Sequence, residues 1–214
     1  DLESPYSAPW KDTRPLTLRA GEDFDFVVLG IPIGAIPYIA AELIFADKRF
    51  ASMVANVGTV QSFSFQLWQS RDLADLGWTS PPGDAGRPAT TAYVAPVSSW
   101  SDRTHLVASE AWAEDAVPRN LSFFGGALEQ LGPTPPFMDQ GFAARQRARV
   151  QSMARKHLEN EVGRLWPLAT KSRGHGFRWE EVLSQHHRAN VDPSDRFVLS
   201  VAGSTHHRLA AGKS

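Results

Sequence analysis

The stretch Phe24-Asp25-Phe26-Val27-Val28-Leu29-Gly30-Ile31-Pro32-Ile33-Gly34-Ala35-Ile36-Pro37 constrains the fold more than any other part of the chain. Its apolar run from Phe26 to Ile31 predicts a strand buried on both faces. Pro32 ends the strand, because proline has no N–H to give to a sheet ladder. Gly34 permits a tight turn or a close approach by another backbone or a ligand. Ala35 to Ala46 then reads as a helix. The expectation is a strand–turn–helix unit with Gly30 and Gly34 near the turn.

At 214 residues the chain is long enough to bury a core and to form one or two domains. Its formal net charge of -1 gives no global reason to expect nucleic acid or an anionic membrane as a partner. It contains no cysteine, which excludes disulfides, thiolate metal sites and cysteine nucleophiles. That is compatible with a reducing compartment, and a cytoplasmic location is expected. No run approaches the roughly 20 apolar residues that span a bilayer. No basic segment followed by an apolar one marks a signal peptide. A first residue of Asp1 leads to the expectation of a processed, trimmed or partial product.

Taken in order, Asp1 to Arg14 reads as a loop. Pro15 to Arg19 and Phe24 to Ile31 flank the turn signal Ala20-Gly21-Glu22-Asp23 and suggest a hairpin. Asp47 is placed to N-cap a helix over Lys48 to Asn56. Val60 to Trp68 alternates, with Phe63, Phe65 and Leu67 on one face and Ser62, Ser64, Gln66 and Trp68 on the other. Thr79 to Pro88 reads as a loop, Thr91 to Val97 as a strand carrying Tyr93, and Ser98 to Arg103 as a turn. A short helix is expected over Ser109 to Asp115 and a strand over Asn120 to Gly126. Gly132 to Pro136 suggests a surface connection. The longest predicted helix runs from Asp139 to Leu165, with an apolar stripe of Phe142, Val150, Met153, His157, Leu158, Val162 and Leu165. Its Arg145, Arg147, Arg149, Arg155 and Lys156 are spread around the helix and favour a solvated face over a phosphate, RNA or lipid site. Trp179 to Gln185 reads as a short amphipathic helix, and Phe197 to Val201 as a last strand. The fold class expected is α+β, a mixed sheet with packed helices.

The motifs of several chemistries are missing. There is no G-x-S-x-G nucleophile elbow, no P-loop and no G-x-G-x-x-G dinucleotide fingerprint. The pairs His186-His187 and His206-His207 are poor chelates, because neighbours on a strand point to opposite faces, and no H-E-x-x-H occurs. No metal site is expected. His105 with Asp102 would be the pair for a scattered hydrolase site, although no spacing supports one. The face carrying Ser64, Gln66 and Trp68 suits either a pocket or ordinary packing, and Trp100 lies beside a similar strand.

The strand–turn stretch resembles the "VV-x-x-IP-x-G-x-x-P" strand of FAD-dependent amine oxidase and protoporphyrinogen oxidase-like flavoproteins. The segments Asn56-Val57-Gly58-Thr59-Val60-Gln61 and Phe65-Gln66-Leu67-Trp68 are similar to the family strand entering the substrate domain. Arg188 through Ser200 resembles the return to the flavin, and Gly203 through Leu209 the approach to the last FAD motif. The resemblance implies the second half of such an enzyme, without its dinucleotide fingerprint and its last flavin-binding helix. Residues 1–46 would then belong with the FAD domain, 47–185 with the substrate domain and 186–214 with the return segment. It implies Gln61, Ser64, Gln66, Trp68, Tyr93 and Trp100 as substrate-pocket lining, and Pro32, Gly34, Arg188, Asn190 and Asp192 near the flavin. Gln61 stands closest to the position where many members hold a water with a lysine, so desaturation is as plausible as amine oxidation. The implied partners are a small organic substrate and the FAD-binding part of the same enzyme, with homo-oligomerisation open. The alternative is a non-catalytic binding module derived from a flavoenzyme domain.

Overall fold

The computed structural model describes residue 6 and residues 16–79, 88–172 and 174–209, with only the backbone at 91–93. In chain order these form helices α1 (Ile36–Ile39), α2 (Ala41–Ala46) and α3 (Lys48–Asn56), then strands β1 (Thr59–Val60), β2 (Ser62–Gln69), β3 (Ala89–Val94), β4 (Val97–Asp102) and β5 (Asn120–Ala127). Helix α4 (Phe142–Asn160), strands β6 (Thr170–Ser172), β7 (His175–Phe177), β8 (Val182–Asn190) and β9 (Phe197–Val198), and helix α5 (Ala202–Thr205) follow. The architecture is α+β. No helix among the described residues is long and apolar enough to cross a membrane.

The chain divides into two compact units: one of residues 1–61, 133–143 and 191–214, the other of residues 62–132 and 144–190. The second unit is built on an antiparallel sheet of order β3-β4-β5-β2-β8. The alternation read in β2 organises it. Phe65 pairs with Phe124 on one side and His187 on the other, and Trp100 pairs with Phe124. Cross-strand partners share a face, so these rings collect on one side of the sheet. Phe65 and Phe124 stack with centroids 4.7 Å apart.

Helix α4 and the turns after it cover that face. Val150, Ala154, Leu158, Val162, Leu165 and Trp166 are buried, and Trp166 meets Phe124 and Trp100 edge-on. The expected apolar stripe is present, but α4 ends at Asn160, and Val162 and Leu165 fall in and just after a 3₁₀ turn. Arg145, Arg147, Arg155 and Lys156 lie on the exposed side of α4. Glu159 ties the helix to the β6–β7 hairpin by accepting from the Phe177 amide at 3.2 Å and from Trp179 Nε1.

Two expectations in this unit give way to strands. Ser98 to Arg103, expected as a turn, is mostly β4, because pairing with β5 supplies the backbone partners and Trp100 supplies the buried side chain. Trp179 to Gln185, expected as a helix, is a 3₁₀ turn followed by β8, whose ladder with β2 satisfies its backbone. The expected helix over Ser109 to Asp115 is absent. Two 3₁₀ turns flank Trp112 instead, at Thr104–Ser109 and Glu114–Ala116.

The first unit is made of shorter pieces. Asp47 N-caps α3 as expected, its Oδ1 accepting from the amides of Arg49 and Phe50 at 2.7 and 3.2 Å. β1 pairs with β9 over Thr59↔Val198 and Val60↔Phe197, and Gly58 N donates to Ser204 Oγ at 3.1 Å. The helix expected over Ala35 to Ala46 is broken at Ala40, whose φ of -137° leaves the helical region.

The buried strand expected from Phe26 to Ile31 does not form. The segment is irregular, and Phe26, Val27 and Val28 are 90%, 72% and 93% exposed. A strand needs a neighbour for its N–H and C=O groups. The expected hairpin reduces to an isolated bridge between Ala20 and Phe24. The turn half of the motif is present: Pro32 leads into a 3₁₀ turn, Ile33–Ala35, closed by Ala35 N donating to Pro32 O at 3.0 Å.

Candidate functional site

A cavity of about 610 Å³ lies within the first unit. Five separate passages of chain build it. Gly34 and Tyr38 come from the turn and α1, Thr134 to Phe137 from the proline-rich connection, and Pro193 and Arg196 from the segment before β9. Tyr6 and Thr59 complete the lining. Gly34 is required sterically, since a Cβ there would sit 2.6 Å from the Pro193 carbonyl oxygen. The connection expected to be mere surface is therefore a wall of this cavity.

The walls are aromatic. Tyr6 packs on Phe137 at 5.2 Å and on Phe142 at 5.0 Å, and Tyr38 on Phe137 at 5.3 Å. Tyr6 Oη donates to the Pro135 carbonyl at 3.0 Å, so the buried phenol is satisfied. Burial pushes the Tyr6 phenol above its ordinary pKa, and the Arg196 guanidinium opposes that shift. Arg196 is fixed by two bonds, Nε to the Val191 carbonyl at 3.2 Å and a terminal nitrogen to Thr134 Oγ1 at 2.9 Å. The cavity thus offers flat apolar walls with a positioned guanidinium. Such a lining suits a planar ligand with an acceptor edge.

Of the residues expected near a flavin, Gly34 lines this cavity, and Asp192 is buried next to Pro193, where its charge is felt by Tyr6. Pro32 precedes the turn. Arg188 and Asn190 belong to β8 in the second unit, where Arg188 Nε donates to Asn190 Oδ1 at 2.9 Å and Asn190 Nδ2 to Ser62 Oγ at 2.9 Å.

The residues expected to line a substrate pocket are distributed differently. Ser64, Gln66 and Trp68 share one half-buried face of β2. Trp68 is held there, since Glu110 Oε2 accepts from Trp68 Nε1 at 2.7 Å and from Trp112 Nε1 at 2.6 Å. Trp100 projects from the opposite face, is 1% exposed and donates to Ser122 Oγ at 3.0 Å. The sheet itself separates it from the other three. Gln61 belongs to the first unit, is 3% exposed and has no partner for Nε2 among the described residues. The side chain of Tyr93 lies outside the described residues.

The His105/Asp102 pair is not arranged as a dyad. The Asp102 carboxylate accepts from the Thr104 amide at 3.0 Å and from the Thr104 hydroxyl, while His105 is exposed. His186 and His187 face opposite sides of β8, as adjacent strand residues must. Among the described residues no group of three or more His, Cys, Asp or Glu is placed to hold a metal ion.

Sequence reasoning missed Tyr6, Tyr38, Phe137 and Thr134. Arg196 lay inside a segment already singled out by resemblance, and its place between Pro193 and β9 was the available signal. Comparisons with protein-family models, with curated proteins and with solved structures find nothing that matches this chain.

Proposed function

We propose that the chain is the substrate-binding portion of an FAD-dependent oxidoreductase, in which an organic substrate passes a hydride to flavin during amine oxidation or C–C or C–N desaturation. The observation that carries this reading is the contact of Gly34 with Pro193. The two segments whose sequences resemble the flavin-proximal parts of amine oxidase-like enzymes meet backbone to backbone. Their residues line one cavity. Chance resemblance in two distant stretches has no reason to bring them together.

The chain's own residues fit part of the cofactor's chemistry. The tyrosine, phenylalanine and proline walls suit a conjugated ring, and Arg196 suits an acceptor or developing negative charge at its edge. They do not fit the diphosphate, because the sequence has no G-x-G-x-x-G loop opening a helix. In this reading the diphosphate is held by the FAD-binding part of the enzyme, and this chain supplies cavity shape and orientation.

The test is the intact mass and visible spectrum of the natural gene product, with Gly34→Val beside it. Flavin absorbance in the natural product, lost or shifted in the variant while the sheet unit stays folded, is the expected result. A colourless product ending at Ser214 would overturn the oxidoreductase reading and favour a binding module derived from such a domain.

A further inference from the structure

The second unit holds another cavity, of about 470 Å³, between the end of α4 and the β6–β7 hairpin. Arg164, Lys171 and His175 line it together with Asn160, Thr170 and Ser172. No carboxylate is part of this lining. We propose that it binds a tetrahedral oxyanion, the phosphate of a phosphate ester or of free phosphate.

A backbone contact positions the exposed side chains of this site. A Cβ on Gly163 would lie 2.4 Å from the Gly174 Cα, so the turn carrying Arg164 meets the hairpin tip only with glycine at position 163. Gly174 also has a φ of +87°, a conformation other residues adopt only with strain. This contact sets Arg164 against the hairpin. The register Ser172↔His175 puts those two side chains on one face of the hairpin. Glu159 on α4 anchors the hairpin from behind through the Phe177 amide.

The donors are those a phosphate uses. A guanidinium offers a planar fork, an ammonium a point charge, and the Ser172 hydroxyl and the second amide hydrogen of Asn160 neutral donors, while the Thr170 hydroxyl is committed to the Pro167 carbonyl at 3.0 Å. A planar carboxylate needs one fork and would leave the remaining donors unused. The nearest competing anion is Glu161, paired to Arg164 at 3.3 Å. Arg164 is 71% exposed in that pair, so water screens it and an incoming phosphate displaces it at little cost.

The experiment is calorimetric titration of the 214-residue chain with inorganic phosphate and, separately, with a nucleoside monophosphate, against chloride at matched ionic strength. Saturable binding that chloride does not reproduce, weakened about tenfold in Arg164→Gln and in Lys171→Gln, is expected. Tighter binding of the nucleoside monophosphate assigns the phosphate to a nucleotide; equal binding assigns it to a free phosphate or a simple ester. Retention of phosphate binding in Arg164→Gln/Lys171→Gln, or an equal response to chloride, overturns the proposal. Both variants alter exposed side chains, so folding is not at stake, and far-ultraviolet circular dichroism verifies it. The inference does not rest on the flavin reading, whose test uses residues of the other unit.

Discussion

Phe124 and Phe26 are the same residue in similarly apolar surroundings, yet Phe124 is 0% exposed and Phe26 is 90% exposed. Phe124 has a strand on each side and α4 with Trp166 over its face. Phe26 lies in an irregular segment, and Val27 and Val28 beside it are also exposed. The difference is not in propensity. An apolar run states what a segment can bury, and the partner decides whether it does.

The comparison breaks most directly at Phe124. Phe124→Ala removes a fully buried ring that stacks on Phe65 and meets Trp166 and His157. A loss of about 3–5 kcal/mol in unfolding free energy is expected, measured by urea denaturation followed through tryptophan fluorescence. A loss below about 1 kcal/mol would mean that the sheet unit is not packed as described.

A smaller effect in the same core depends on pH. His157 is buried against Phe65 and Phe124, and burial lowers its pKa from the usual 6.5 to about 4, with the Glu161 carboxylate pulling the other way. The folded state therefore binds this proton less readily than the unfolded chain. As pH falls below 6.5 the unfolded state is protonated first, and stability drops until both states are protonated below about 4. The full difference is on the order of 3 kcal/mol. His187, also lowered by burial and by His186, adds in the same direction. His157→Gln is expected to flatten the urea-midpoint slope between pH 6.5 and 4 while leaving a residue from His187 and the carboxylates. An unchanged slope would place His157 in contact with water.

What could be read in advance follows the same division. The alternation of β2, the strand at Asn120, the α4 stripe and the Asp47 cap were legible because each signal is local and repeats at the period of its element. β4 was not, because Ser98, Ser99, Ser101 and Asp102 carry no strand signal, and its pairing with β5 is a long-range fact. The candidate cavity was half legible. Gly34 stood out as a glycine after a proline, and the segment around Asp192 by resemblance. Tyr6, Tyr38 and Phe137 had no shared pattern, since their meeting depends on three passages distant in sequence.

The smallest expected effect is at Phe26. With its side chain 90% exposed, Phe26→Ser removes little buried surface in this chain. The unfolding free energy should change by less than about 0.5 kcal/mol in urea denaturation. Full burial of a phenylalanine is worth about 1.5–3 kcal/mol. If the natural gene product, handled as isolated, loses that much on the same substitution, then Phe26 to Leu29 have found a covering surface there, and the contrast with Phe124 is one of partners supplied from elsewhere. A small change in both samples would make the exposed run a property of the segment itself, and the buried strand expected from its sequence would have no place in the protein.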